Sequence, residues 1–127
     1  MTDYRKLFAD IQERPNSYGL DGSYAQAVAF IMGCDAGNSW GLLTGFREWL
    51  AMKVGHGTNL GWPALVLRAA FPPPPVIVPA DTLDETQEAH AVGTLFSLLD
   101  DFLETRSGSS GPALIFTEYA KWAGRGE

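Results

Sequence analysis

Apolar residues recur along this chain at helical rather than strand spacing, and the breaks between the apolar runs are marked by glycine and proline. Tyr4, Leu7, Phe8 and Ile11 form the first stripe, with Thr2 or Asp3 as its cap and Pro15 as its stop. Past the turn Pro15-Asn16-Ser17-Tyr18-Gly19, a second helix is predicted from about Ser23, carrying Tyr24, Val28, Ile31 and Met32 and ending within Gly33 to Gly37. A third, from about Ser39 to Val54, would present Trp40, Leu43, Phe46, Trp49 and Leu50 on one face. Trp62-Pro63 opens a fourth through Leu65, Val66 and Ala69, since proline fits the first helical turn, and Pro72 must close it.

Four prolines in a row and Val76-Ile77-Val78-Pro79 then read as an extended, polyproline-like crossing over residues 72–79, with a short edge strand over 76–78 left open. The longest helix is expected to begin at Thr82-Leu83-Asp84-Glu85, a capping-box pattern, and to run to Arg106 with Val92, Leu95, Phe96, Leu99, Phe102 and Leu103 facing inward. Residues 107–111 form a flexible break, and Pro112 to Trp122 make a last short helix. The pattern therefore predicts one mainly α domain over 1–127, a bundle of about five to six helices with a proline-rich extended crossover.

Composition supports that frame. The chain has 127 residues, 46% of them hydrophobic, enough for one core without disulfides or metals. The single cysteine, Cys34, has no partner for an internal disulfide and is expected to be a buried thiol near a helix end. With no apolar leader and no apolar run of bilayer length, the chain is expected to stay in a reducing cytoplasm.

Charge alters the picture more. The formal net charge is −6, and seven acids lie between Asp81 and Glu104 with no lysine or arginine among them. Nucleic-acid binding needs clustered cations, so direct contact with DNA or RNA is not expected. Asp84 and Glu88 sit where a helix N-terminus favours negative charge, which explains them without any partner. Asp100, Asp101 and Glu104 lie at the opposite end, where the helix dipole opposes acids; pairing with Arg106 and Lys121 or a basic partner would account for them. Asp84, Glu88, Asp100, Asp101 and Glu104 are therefore the candidate partner-binding residues.

No catalytic constellation is recognised. His56 and His90 are not at metal-ligand spacing, and Gly55-His56-Gly57 and Gly108 to Gly111 lack the remainder of a phosphate-binding loop. No cofactor and no metal are expected. His56 is read as a solvated loop residue and His90 as a residue of a helix surface.

Taken together, Arg14-Pro15-x-x-Tyr18, Leu43-Thr44-Gly45-Phe46-x-x-Trp49-Leu50 and Phe96-x-Leu98-Leu99-x-x-Phe102 resemble small bacterial proteins encoded beside polymorphic toxins and regarded as their immunity proteins. The resemblance implies stoichiometric inhibition of a toxin by direct binding, without catalysis, and carries no individual site residue. The expected partner is thus a cognate toxin or other basic protein, met by the acidic helical face. Two further readings stay open: a small-molecule-binding or enzymatic domain with a pocket among Tyr18, Tyr24, Trp40, Trp49 and Trp62, and an adaptor that dimerises through an exposed apolar face.

Overall fold

The computed structural model describes residues 2–57, 59–72, 83–108 and 111–125. Among them the chain is all-helical: α1 (Tyr4–Glu13), a 3-10 turn (Pro15–Tyr18), α2 (Tyr24–Gly37), α3 (Phe46–Val54), α4 (Trp62–Ala70), α5 (Glu85–Arg106) and α6 (Gly111–Gly124). No strand occurs among the described residues. Residues 73–79 of the expected proline crossing, including 76–78, lie outside the described residues.

Local chemistry fixes most helix ends. Asp3 accepts from the Lys6 amide and Ser23 from the Gln26 amide, each satisfying a donor that the first turn leaves open. The long helix starts later than the Thr82 pattern suggests. Asp84 is its N-cap and accepts from the Gln87 amide at 2.8 Å, while the Gln87 side chain returns to the Asp84 amide at 2.9 Å. The capping box is therefore Asp84–Gln87; Glu85 is the first helical residue and Thr82 lies outside the described residues.

The third helix also begins later, at Phe46 rather than near Ser39. Residues 38–45 form a series of turns instead, in which Leu42 and Leu43 still reach the core at 6% and 7% exposure. Gly45 ends the turns in the left-handed region, φ 89°, which a side chain at that position would resist. The same glycine sits against Ile115 of α6, whose side-chain carbon lies 3.5 Å from where a Cβ would be.

α5 is the axis of the bundle, with α1, α2, α4 and α6 all packed on it. Its inner residues Ala91, Leu95, Phe96, Leu99, Phe102 and Leu103 join one core with Phe8, Ile11, Tyr24, Ile31, Phe46, Leu50 and Leu65. α3 meets α5 through rings: Phe102 lies 5.0 Å from Phe46 and 5.7 Å from Trp49, centroid to centroid. Aromatic pairs at such separations add about 0.5–1.5 kcal/mol beyond the area they bury. No described helix is long and apolar enough to cross a membrane.

Candidate interaction surface

The five candidate acids along α5 do not form one open face. Asp84 is used as the N-cap. Glu88 reaches across to α2, where its Oε2 accepts from the Tyr24 amide at 2.5 Å, so it holds the first turn of a neighbouring helix. These two acids stabilise the fold. Asp100 lies three turns further along, about 18 Å from Glu88 at 1.5 Å per residue.

At that far end, Asp100 takes a forked pair of hydrogen bonds from Arg5 of α1, Nε to Oδ1 at 2.8 Å and Nη2 to Oδ2 at 3.1 Å. Arg5 also stands 3.8 Å from the Glu104 carboxylate. The Arg5 fork holds the Asp100 carboxyl below its ordinary range, and it is Asp100 in turn that raises the arginine. Arg5, rather than Arg106 or Lys121, is the cation that faces these acids. Asp101 has no ion-pair partner among the described residues, and Glu104 shares Arg5 at the longer distance. Both acids are exposed.

Arg106 is turned the other way. Its guanidinium donates to the carbonyls of Gly41, at 3.2 Å, and of Leu42, while lying over the Phe102 ring. It thereby fastens the 38–45 turns to the acidic end of α5. A groove of about 420 Å³ runs between them, lined by Asp3, Arg5, Asn38, Gly41 and Arg106 among others.

At the crest of those turns stands Trp40. It is 65% exposed, the most exposed large apolar residue among the described residues. Ser39 and Trp40 are the two non-glycine residues with positive φ among the described residues, at 57° and 62°. The conformation is imposed by α2: the Asp35 carbonyl accepts from the Trp40 amide at 2.8 Å, and the Asp35 carboxylate accepts from the Leu43 amide at 3.0 Å. Asn38 adds a tie, donating to the Cys34 carbonyl at 2.7 Å and to the Tyr4 hydroxyl at 2.6 Å. A large apolar side chain is thus presented to solvent on a backbone fixed in a conformation that L-residues disfavour.

The other aromatic candidates do not gather around a pocket. Tyr24 and Trp49 are core residues at 2% and 8% exposure, Trp62 packs on Phe46, and the Tyr18 hydroxyl donates to the Asp10 carboxylate. None of the five lines the cavity beside Lys53 and Arg68, the groove at Arg106, or the two smaller hollows along α1. Cys34 is half-buried rather than buried, and burial pushes its thiol up, away from the reactive thiolate.

The histidines are more engaged than loop and surface positions suggest. The His90 ring nitrogen Nε2 donates to the Ala70 carbonyl at 2.9 Å and the ring packs edge-on against Phe71, joining α5 to the end of α4. His56 lies beside Arg68. No group of three or more potential ligands for a metal ion occurs among the described residues. The exposure of Trp40 was not legible from the sequence, where its spacing to Leu43 placed it on a buried helical face; the glycines at 41 and 45 were the signal for turns there. Comparison of the chain with family models, with curated proteins and with solved structures gives no match.

Proposed function

We propose that this chain is a non-catalytic binding protein of the immunity or antitoxin kind, which neutralises a basic protein partner by docking against it. The surface involved is the acidic end of α5, Asp101 and Glu104 with the Arg5–Asp100 pair, together with Trp40 of the turns that Arg106 fastens to that end. The observation that carries this reading is Trp40: 65% exposed and held by Asp35 in a left-handed backbone.

Tryptophan is among the residues that most often dominate binding energy when a partner buries them, and a rigid backbone lowers the ordering entropy lost on docking. The neighbouring carboxylates supply the complementary half. Negative charge around an apolar anchor speeds encounter with a cationic surface and disfavours acidic competitors. This placement narrows the surface expected from the sequence, because Asp84 and Glu88 are engaged within the fold, and of the five candidate acids only those at the far end of α5 remain for a partner.

The test compares three tagged proteins in pull-downs from the native host, washed at low and high salt: the unaltered chain, Trp40→Ala, and the double variant Asp101→Lys, Glu104→Lys. A basic protein retained by the first, lost by the second, and released from the third at salt concentrations the first withstands is the expected result. That protein, expressed alone, should arrest growth, and co-expression of the chain should relieve the arrest. Retention of the same partner by both variants would remove this surface. A partner without toxicity would remove the neutralising role.

A further inference from the structure

A half-open cavity of about 500 Å³ lies away from the acidic face, between the C-terminal ends of α3 and α4 and the middle of α5. Its basic lining comes from three separate segments and includes no acid: Lys53 in the last turn of α3, His56 in the following loop, and Arg68 in the last turn of α4. Leu50, Val54, Ala69, Pro72 and Leu98 form the apolar remainder. In a chain of net charge −6, no carboxylate pairs with any of these three groups among the described residues.

A lysine or arginine in a last helical turn is ordinarily explained by the dipole of its own helix. That explanation covers each cation separately and does not bring two helices' cations and a histidine into one cavity. The loop does so. Gly55 caps α3 at φ 88° and Gly57 follows at φ 87°, so His56 is held between two left-handed residues. A Cβ at Gly57 would stand 2.8 Å from a Leu65 methyl, which ties the loop closely to α4. Arg68 Nη1 lies 3.3 Å from His56 Nδ1. A guanidinium can only donate, so Nδ1 accepts and the imidazole carries its proton on Nε2, which leaves a further donor on the ring. Lys53 keeps its ammonium 4.7 Å from the centroid of the Trp49 ring, a weak contact that an anion can supplement.

We propose that this cavity is a binding site for a small organic phosphate. Two permanent cations and a ring N–H suit a dianion better than a monoanion, and the planar fork of Arg68 matches the spacing of phosphate oxygens. The organic part of the ligand would lie against Leu50, Val54 and Leu98, in a volume that falls within the usual range for small-molecule sites. The site is separate from the Trp40 surface and does not depend on that surface having a partner.

Isothermal titration of the chain with phenyl phosphate, inorganic phosphate and benzoate tests the assignment. Phenyl phosphate should bind saturably and more tightly than either of the others. Arg68→Gln and Lys53→Met should each weaken it by about tenfold or more, a loss well within reach of one charge-assisted contact. Lys6→Met, which removes an exposed cation on α1, should bind as the unaltered chain does. Circular dichroism checks that each variant is folded, and the exposed position of Lys53 keeps the test available should Arg68→Gln not fold. Absence of saturable binding, binding by the folded Lys53 and Arg68 variants as tight as that of the unaltered chain, or benzoate binding as tightly as phenyl phosphate would each overturn the proposal.

Discussion

Glu88 of α5 accepts the backbone N–H of Tyr24, the first residue of α2, at 2.5 Å, although 64 residues separate them. A carboxylate at this point satisfies a donor that α2 cannot satisfy itself and lies at the favourable end of the α2 dipole. Replacing Glu88 with Ala should therefore cost about 1–2 kcal/mol of stability, and with Gln, which keeps an acceptor without the charge, about half as much. Urea denaturation of the three proteins measures both. Equal stabilities would mean that water replaces the carboxylate without loss.

Tyr24 is held at its other end as well, because its buried hydroxyl donates to the Pro63 carbonyl of α4 at 2.6 Å. Tyr24→Phe keeps the packing and leaves that carbonyl without its partner, a loss of about 1 kcal/mol. Burial also pushes the Tyr24 phenol above its ordinary value. A group whose pKa is raised on folding stabilises the fold fully below its unfolded pKa, here about 10, and the contribution disappears as pH rises toward the folded value. Stability should consequently fall above about pH 10, and Tyr24→Phe should lessen the slope. Urea midpoints taken from pH 9 upward report the difference.

At the acid end the sign reverses. The Asp10 carboxyl is held below its ordinary value by Arg14 and by the Tyr18 hydroxyl, and Asp100 by Arg5. Depressed carboxyls stabilise the fold above their unfolded pKa, and that contribution is lost as pH falls through the folded one, since the unfolded chain takes up the proton first. Thermal midpoints should begin to drop near pH 5 and continue below the usual carboxylate range. Asp10→Asn and Asp100→Asn should each flatten that descent. Both pairs are solvent-facing, so raising the salt concentration should flatten it too.

Some of these features are written locally in the sequence and some are not. α1 and α2 were legible because stripe, cap and stop coincide: Asp3 with Pro15, and Ser23 with the glycines that follow. α5 was legible in extent, but its start was misread since Thr82-x-x-Glu85 and Asp84-x-x-Gln87 both fit a capping box, and only the backbone distinguishes them. Trp40 misled because three residues separate it from Leu43, the spacing of a helix face, whereas the Gly41 and Gly45 turns send one outward and the other inward.

The charge partners were legible least. Arg5 and Asp100 are 95 residues apart, and no local rule pairs them. The same holds for Lys53, His56 and Arg68, which the sequence shows as scattered residues and which meet only because α4 folds back along α3. Acid content along α5 was plain from composition, while the division of those acids into two that stabilise the fold and an outward-facing group depended on which helices pack beside each.

Trp40 gives the sharpest separation between stability and binding. Its left-handed backbone costs about 1–2 kcal/mol in a non-glycine residue, and glycine there would relieve that strain while adding about 0.5–1 kcal/mol of freedom to the unfolded chain. With the indole 65% exposed, little packing is lost. Trp40→Gly should therefore leave stability unchanged or raise it by up to about 1 kcal/mol. Trp49→Ala, at an 8% exposed position among Phe46 and Phe102, should lower it by about 3–5 kcal/mol. Urea denaturation of both variants beside the unaltered chain makes the comparison. A Trp40→Gly protein that is at least as stable but no longer retains the basic partner would identify the indole as a residue for docking; a loss of about 2 kcal/mol or more would make it a structural residue, and the docking surface would lose its anchor.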